Sequence, residues 1–309
     1  MRLWLSNRTV TTTAIVCAAL LGSGCEAQVW GTPPASENAP QAPVTAPQAP
    51  VLPAAPPAPP AQPVAPFEGL DARVQQATAD AAASGDDIET VVLDRTTGQR
   101  VSGGGDNPFP IASVVKLFIA DDLLLQEAEG KTTLSAADRR SLDIMLRSSD
   151  DSAAQNFWDR SGGNAIIARV KARYGLAGTT APSNGHWDVT TSTASDLVRY
   201  YDMLLDGTGG LPPEKADIII GNLAQSTPTG TDGYPQRFGI PEGLYAEPVA
   251  VKQGWMCCVG SDWMHLSTGI IGSNHRYIMA IASDQPATAD AARATITQAV
   301  KTMFPGGRI

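Results

Sequence analysis

The amino-acid sequence predicts an α+β fold in which one antiparallel sheet of about five strands is built from both ends of the folded region. Strand-like patterns occur at residues 88–102 and again between residues 249 and 283, whereas the chain between them has helical periodicity. Strands and helices that are segregated in this way favour an antiparallel sheet flanked by helices. We therefore expect one domain over residues 68–309, with the middle of the chain as a separate all-helical lobe.

Residues 1–24 have the pattern of a lipoprotein signal peptide. Arg2 and Arg8 precede an apolar stretch at residues 9–22 that is too short to span a bilayer. Small residues then lead directly to Cys25, as in a bacterial lipobox, although Gly22 stands where such motifs usually carry leucine. We expect Cys25 to be the lipidated residue, palmitate being one of its acyl chains. An ordinary secretory cleavage site with an incidental cysteine is the alternative.

Residues 25–67 are expected to form a disordered tether that is rich in proline and alanine. More than half of the chain's 24 prolines lie in residues 32–66, which carry one charged residue, Glu37. Such a segment cannot bury enough apolar surface to fold and favours an extended, polyproline-like spacer. Behind a lipidated cysteine it would hold the domain at the outer face of the cytoplasmic membrane, in the cell envelope.

The net charge of the chain is −9 at pH 7. Because no basic cluster with interleaved aromatic residues is present, nucleic acid is a poor candidate partner. Beyond the leader and Cys25, the cysteines are Cys257 and Cys258, which are either free or joined to each other. Adjacent cysteines do not have a metal spacing, and none of the three histidines has a partner four residues away. We therefore expect no metal and no other cofactor.

The first part of the domain is predicted to contain a helix, a hairpin and a second helix. Residues 70–84 place small and apolar side chains on one helical face, and Gly85 ends this helix. Residues 88–93 are apolar and β-branched, and residues 99–102 return as the second arm of a hairpin. Pro108 and Pro110 then set an extended entry to a helix that contains Ser113 in or just before its first turn.

The remaining elements follow from periodicity and from capping residues. The patterns predict helices at residues 135–146, 153–160, 165–174, 193–205 and 288–303, and strands at residues 249–251, 265–271 and 276–283. These assignments place the last strands and the first hairpin in the same sheet.

Ser113 and Lys116 are the first candidate site residues. They lie three residues apart at the start of a helix, so their side chains share one face with Cβ atoms roughly 5–6 Å apart. A nearby lysine and the positive end of the helix dipole both favour an alkoxide-like oxygen, which a nucleophile needs. The alternative is a helix-capping serine followed by a surface lysine.

Two further stretches carry polar residues in a suggestive order. Residues 147–154 contain Ser149 and Asp151 at the head of a helix, and residues 251–255 place Lys252, Gln253 and Gly254 on a strand. With residues 109–116, F-P-I-A-S-V-V-K, these stretches resemble the motifs of class A serine β-lactamases and related penicillin-binding DD-peptidases. The resemblance covers essentially all of residues 68–305, and the whole chain is similar to actinobacterial lipoproteins that contain such a domain.

The resemblance implies a role for each motif residue. Ser113 would be the acylated nucleophile, Lys116 its base, and Ser149 the group that passes a proton to the leaving nitrogen. The backbone N–H groups of Ser113 and Trp255 would form the oxyanion hole. The remaining motif residues would bind substrate: Asp151, Lys252, Gln253 and Gly254, with Lys252 and Gln253 holding the substrate carboxylate.

Three departures from the family pattern bear on activity. Asp151 stands where the second motif normally has asparagine, and a carboxylate near Lys116 should hold that amine protonated. Gln253 replaces the short hydroxyl of the third motif. Residues 176–186 lack the glutamate that activates the deacylating water in β-lactamases. His186 or Asp188 could substitute for it, but a loop residue and a helix-start or ion-paired carboxylate are the favoured interpretations.

Other candidate groups have ordinary structural interpretations. The chain has no G-x-S-x-G motif, which disfavours a lipase-like hydrolase. The paired carboxylates at residues 86–87 and 121–122 are interpreted as solvated turn or helix positions. The sequence clusters Trp255 and Met256 with Trp263 and Met264, which favours strand packing, with an aromatic wall beside a substrate groove as the alternative.

The sequence thus predicts a lipid-anchored cell-envelope protein with a serine acyl-transfer site. Its expected substrates are D-Ala-D-Ala peptides of peptidoglycan or β-lactams, and the missing glutamate predicts slow deacylation. The alternative is a catalytically degenerate protein that binds cell-wall peptide or a partner protein, and a purely structural tethered lipoprotein is a third possibility.

Overall fold

The structure is a computed structural model that describes residues 67–309. The expected signal peptide and all but the last residue of the expected tether lie outside the described residues. The strands of the described part are β1 (Asp87–Asp94), β2 (Arg100–Gly103), β3 (Phe109–Pro110), β4 (Thr191–Ser192), β5 (Val249–Val259), β6 (Asp262–Ile271) and β7 (Tyr277–Gln285).

The described helices flank these strands in sequence and in space. They are α1 (Leu70–Ala83), α2 (Lys116–Ala128), α3 (Ala136–Arg147), α4 (Asp151–Arg160), α5 (Asn164–Tyr174), α6 (Ala194–Asp206), α7 (Pro213–Leu223), α8 (Ile240–Gly243) and α9 (Ala289–Met303). Three short 3₁₀ turns lie at Ala112–Val115, Trp187–Val189 and Pro305–Gly307.

The sheet contains five antiparallel strands in the order β2-β1-β7-β6-β5, and β3 and β4 form a separate pair. Its register aligns Val91 with Ala280, Ala280 with Thr268, and Thr268 with Lys252. Lys252 therefore lies on the edge strand, level with the middle of the sheet. Strands from both ends of the domain share the sheet, so the predicted α+β fold is confirmed.

Apolar side chains on the two faces of the sheet pack into separate cores. One core contains Val91 and Ile278 and extends through α2 to α7. The other contains Val92 and Met279 and packs beneath α1 and α9. Neighbouring residues of one strand point to opposite faces, so each strand serves both cores. The helical lobe that carries the first two motifs is thus built on one face of the sheet.

Hydrogen bonds from side chains fix where several helices begin. The Ser135 hydroxyl accepts a hydrogen bond from the Asp138 N–H, and the Asp138 carboxylate accepts one from the Ser135 N–H. This reciprocal pair is a capping box. Asp150 accepts from the Ala153 N–H and so starts α4 directly after Ser149. These caps are worth about 1 kcal/mol each and explain why α3 and α4 agree closely with the predicted helices.

Several elements differ from the sequence prediction, among them the short strands β3 and β4, which were not predicted. Helix α7 begins at Pro213, the first position of a helix where proline is tolerated, and was not predicted. The short helix α8 was also missed. Strand β5 continues to Val259, well beyond the predicted residue 251, because its polar motif residues are buried against β6 and the 3₁₀ turn that holds Ser113.

Three of the four paired carboxylates are buried, so the interpretation as solvated positions is wrong for them, whereas Asp87 is exposed as predicted. Asp86, Asp121 and Asp122 are all nearly inaccessible to solvent. Arg173 donates to Asp121, which also accepts from the Tyr174 hydroxyl. These interactions compensate for burial of the charge, which would otherwise cost several kcal/mol.

Asp122 is held in a comparable way. Arg169 donates to both oxygens of Asp122, at 2.7 Å each. The correction is the same for both carboxylates: they tie α2 to α5 and do not face water.

The adjacent Cys257 and Cys258 are joined to each other near the end of β5. Within residues 67–309, no helix is long and apolar enough to cross a membrane.

Candidate active site

Ser113 lies at the floor of a cleft, in the 3₁₀ turn that leads into α2. Its hydroxyl accepts a hydrogen bond from Lys116 Nζ at 2.7 Å. The side chain of Ser113 is 92% buried but lines the cleft, so the hydroxyl can be reached from solvent. The structure thus brings together the first predicted pair, a serine hydroxyl and a lysine amine in direct contact.

Lys116 is completely buried and has four oxygen partners. Besides Ser113 Oγ, its Nζ contacts Ser149 O at 2.6 Å, Ser149 Oγ at 3.2 Å and Asp151 Oδ1 at 2.5 Å. It also lies 4.9 Å from the centroid of the Trp187 ring. Burial lowers the pKa of Lys116 below its usual value, and the Asp151 carboxylate opposes this shift. The amine is therefore placed as a base but is partnered by a group that favours its protonated form.

The Ser149 hydroxyl lies between two lysines. Lys252 Nζ donates to it at 2.9 Å, opposite Lys116. Lys252 is 1% exposed, and its other partner is the Gln253 carbonyl at 2.9 Å. Burial, and next the charge of Lys116, hold the pKa of Lys252 well below its usual value. A hydroxyl between two amines can pass a proton between them or to a leaving group.

Backbone strain is concentrated in this site. Ala112, directly before the nucleophile, has φ 43°, and Ser149 has φ 58°. Left-handed conformations of non-glycine residues cost of order 1–3 kcal/mol and persist where surrounding contacts enforce them. Around Ser149 those contacts are the hydrogen bond that its carbonyl accepts from Lys116 and the side chain of Asp150, which caps α4. Such strain is typical of functional sites, although it does not identify the function.

Strand β5 closes one side of the cleft and approaches the backbone just before Ser113 closely. A Cβ atom on Gly254 would lie 2.7 Å from the Ile111 carbonyl oxygen, so only glycine permits this distance. The next residue, Trp255, lines the cleft together with Ser113. The two residues whose backbone N–H groups were expected to form an oxyanion hole are thus on the same cleft.

Gln253 faces away from the cleft. Its side chain is completely buried, and its amide donates to the carbonyls of Gln236 at 3.0 Å and Phe238 at 2.7 Å. It therefore anchors the loop before α8. This placement gives no support to the expected role of the Gln253 amide in holding a substrate carboxylate.

The cleft has a volume of about 240 Å³. Its lining residues are Ala112, Ser113, Asp151, Gln155, Trp187, Asp188, Asp232, Trp255 and Met256. Sequence reasoning missed Gln155, Trp187 and Asp232 as members of the site, and it favoured a helix-start or ion-paired role for Asp188. The only sequence signal near Asp232 is that of a glycine-rich turn. Nothing local in the sequence indicates that this turn folds over the cleft.

The sequence left two roles open for the four tryptophan and methionine residues of β5 and β6, strand packing and a wall beside the groove. The structure shows both. Trp255 and Met256 form a wall of the cleft. Met264 is buried in the core, and Trp263 stacks on Tyr234 at a centroid distance of 5.9 Å. The two residues of β5 therefore form a wall beside the groove, whereas the two residues of β6 pack against other side chains.

No group of three or more His, Cys, Asp or Glu side chains is gathered as a metal site within the described part of the chain. The cleft presents the Ser113 hydroxyl and the carboxylates of Asp151, Asp188 and Asp232, and two buried amines and the Ser149 hydroxyl are hydrogen-bonded to one another beside Ser113.

The sequence and the fold both match known proteins. A family model described as the beta-lactamase enzyme family matches residues 70–141 and 139–304. The chain belongs to this family. The resemblance that the three motifs predicted is therefore confirmed.

Curated relatives of the family share most of this domain. A protein named as a lipoprotein, LppW, of Mycobacterium tuberculosis is 66% identical over 243 residues, which are 79% of this chain and 77% of the relative. The Mycobacterium bovis protein of the same name gives the same values. The expected similarity to actinobacterial lipoproteins with such a domain is confirmed.

Solved structures of the family have the same fold at low sequence identity. A penicillin G acyl-enzyme of a PBP-A variant has a TM-score of 0.63 and 20% identity, covering 79% of this chain and 97% of its own. A β-lactamase from Chitinophaga pinensis has a TM-score of 0.61 and 15% identity, covering 75% and 98%. These comparisons support the fold and leave activity to be tested.

Proposed function

We propose that this protein is a serine acyl-transfer enzyme with slow deacylation. The observation that carries the proposal is the 2.7 Å contact between Ser113 Oγ and Lys116 Nζ at the floor of an open cleft. In the proposed reaction the Ser113 oxygen attacks a carbonyl carbon and its proton passes to Lys116. Ser149 then protonates the leaving nitrogen, which completes the acyl-enzyme.

Deacylation is the step for which the cleft is poorly equipped. The loop at residues 176–186 has no carboxylate, and Asp188, which does line the cleft, is the nearest substitute in sequence. Without a well-placed general base, water attacks an ester slowly. The acyl-enzyme should therefore accumulate, and the protein should bind a β-lactam covalently more than destroy it.

A fluorescent penicillin tests the acylation step directly. We expect covalent labelling of the full chain and none of the Ser113→Ala variant, with the modified peptide identified by mass spectrometry. Equal labelling of both proteins would refute Ser113 as the nucleophile. A burst of one equivalent followed by slow turnover would support slow deacylation.

A second function has its own supporting observation. The 2.5 Å ion pair between Lys116 and Asp151 favours the protonated amine, which suits a protein that binds a wall peptide or partner without acylation. Asp151→Asn separates the two functions, because gained acylation would indicate a site suppressed by this carboxylate. The companion change Gln253→Thr is less informative, since Gln253 holds a loop and lies outside the cleft lining.

We further propose that the domain is lipid-anchored through Cys25 at the outer face of the cytoplasmic membrane, with residues 1–24 removed and residues 25–67 as tether. The lipoprotein name of the mycobacterial relatives supports this proposal. Labelling of cells with a fatty-acid probe should mark the wild-type protein and spare Cys25→Ser. Release of wild-type protein from membranes without detergent would contradict it.

A further inference from the structure

The Trp187 indole ring lies against the amine that the proposed reaction uses as its base. Lys116 Nζ is 4.9 Å from the centroid of the ring, and Trp187 is only 7% exposed although it lines the cleft. Within residues 67–309, the other cleft-lining side chains that contact the amine are Ser113 and Asp151. These three side chains therefore separate Lys116 from the solvent in the cleft.

The turn at residues 187–189 is fixed by the segment that leads to the nucleophile. The Ile111 N–H donates to the Thr190 carbonyl at 2.9 Å, and β3 pairs with β4 directly beside these residues. Thr180 and Thr191 exchange two further backbone hydrogen bonds, at 2.9 and 3.1 Å. The backbone that carries the indole ring is thus held in a constant position relative to the serine.

The ring itself is held by a helix on the other side of the cleft. The Trp187 indole N–H donates to Gln155 Oε1 at 3.1 Å, and the Gln155 amide donates in turn to Asp159 at 2.8 Å. Gln155 belongs to α4, which also carries Asp151, the carboxylate partner of Lys116. The ring therefore cannot move away from the amine unless its hydrogen bond to α4 breaks.

The indole face provides no hydrogen-bond partner for a water molecule. Water is retained inside a protein where several polar groups bind it, whereas apolar surroundings stay dry. Trp187 thus occupies space beside Lys116 without offering a place for water. An indole face close to an amine also favours its ammonium form. Both effects act against a step in which Lys116 takes a proton from water.

We propose that Trp187 excludes the deacylating water from Lys116 and so prolongs the acyl-enzyme. The inference rests on the proposed function and deepens it, because it adds a barrier to the missing glutamate. In deacylation, the water oxygen would bond to the ester carbonyl carbon while one water proton passes to neutral Lys116. The bond from that carbon to Ser113 Oγ would then break, and Oγ would take the proton back from Lys116. Trp187 does not react; it controls access to the base.

Release of penicillin from the acyl-enzyme tests this role. The full-length protein is labelled with penicillin, excess reagent is removed, and loss of the adduct is followed by intact mass. We expect Trp187→Ala to release the adduct at least about tenfold faster than wild type, because Lys116 Nζ and the freed Gln155 oxygen would border a space that can hold water. Trp187→Gln, which keeps more of the volume, should act in the same direction. Trp187→Phe keeps an apolar ring and should release nearly as slowly as wild type.

A pH profile and a control variant separate this role from a loss of packing. In Trp187→Ala the release rate should rise with pH through the pKa of Lys116, since only the neutral amine accepts a proton from water. Trp158→Phe removes an indole N–H donor to the Gly185 carbonyl of the same loop, does not line the cleft, and should release as wild type does. Thermal melting verifies that each variant is folded. Wild-type release by folded Trp187→Ala and Trp187→Gln, a fast release independent of pH, or equally fast release by Trp158→Phe would each overturn the proposal.

Hydrogen exchange at Lys116 distinguishes failure of this inference from failure of the proposed function, because it needs no acylation. The ammonium protons are followed by NMR on protein with isotopically labelled lysine, and Lys116→Arg identifies the signal. We expect slow exchange in wild type and Trp187→Phe, and fast exchange in Trp187→Ala. Fast exchange in Trp187→Ala without attachment of penicillin to any protein would refute acyl transfer and support the exclusion of water. Attachment of penicillin, with equal exchange and equal release in all three proteins, would support acyl transfer and overturn the exclusion of water.

Discussion

The ion pair between Lys116 and Asp151 provides the sharpest test of how this site is charged. Lys116 Nζ and Asp151 Oδ1 are 2.5 Å apart, and the lysine side chain is inaccessible whereas that of the aspartate is 68% exposed. Burial lowers the pKa of Lys116, and Asp151 acts against that shift. The Asp151→Asn change preserves size and removes the charge. We expect the pKa of Lys116 to fall further and the fraction of neutral amine to rise.

Coulomb's law gives the size of the effect. Because solvent reaches the carboxylate, an effective dielectric constant of about 40–80 is appropriate, which gives about 1.7–3.3 kcal/mol at the observed separation. Loss of this interaction lowers the pKa of Lys116 further, because burial then acts without the opposing charge of Asp151. A weaker base also transfers protons less readily, so we expect acylation below that pKa to become about three- to tenfold faster rather than a hundredfold faster.

The assay is the rate of covalent labelling of Ser113 by a fluorescent penicillin between pH 5 and 9. The midpoint of the pH–rate profile should move to lower pH in Asp151→Asn, because the pKa of Lys116 falls further. Asp217→Asn, which removes an exposed carboxylate on α7, serves as the matched control and should behave as wild type. An unchanged midpoint, or a slower rate at every pH, would refute the argument that Asp151 suppresses the base.

Three further predictions concern stability and are measured by urea denaturation. Gln253→Thr should lower the free energy of unfolding by about 1–3 kcal/mol, because two loop carbonyls lose their donor; an unchanged value would contradict this. Arg173→Met should cost about 3–5 kcal/mol by leaving Asp121 buried without its cation, and adding Asp121→Asn should recover much of the loss. Burial raises the pKa of Asp86 to about 7, so the folded protein binds more protons than the unfolded chain between pH 4 and 7 and loses stability as pH rises. Asp86→Asn should therefore be more stable than wild type by about 2–4 kcal/mol at pH 8 and nearly equal at pH 4; an equal difference at both pH values would contradict the assignment.

The contact between Ser113 and Lys116 could be predicted from the sequence because its signals are local. A spacing of three residues at a helix start brings Ser113 and Lys116 together in any helical geometry. The Asp150 cap fixes the start of α4, so Ser149 had to lie at a helix entrance. The three motifs also predicted the fold. The α+β class could be predicted from the order of the helices and strands alone.

The surroundings of Ser113 and Lys116 were harder to predict. They depend on which way the side chains of a strand point and on loops that are far away in the sequence. Lys252 and Gln253 are neighbours on one strand, so their side chains point to opposite faces and only one of them can approach the nucleophile. That alternation could have indicated that the two side chains have different surroundings. The placement of Asp232 could not have been predicted, since it depends on a turn between α7 and α8 that folds over β5.

The two lysines around Ser149 also constrain where protons reside before any reaction. The Ser149 oxygen can accept from both amines, but Lys116 has a carboxylate partner and Lys252 has none within 4 Å among the described residues. Burial, and next the charge of Lys116, also hold the pKa of Lys252 well below its usual value. We therefore expect the resting proton on Lys116, so that Ser113 can lose its proton only after Lys116 has given one up. Ser149 contacts both amines and would provide the route, so in the proposed reaction the Asp151 carboxylate would limit how fast Ser113 is acylated.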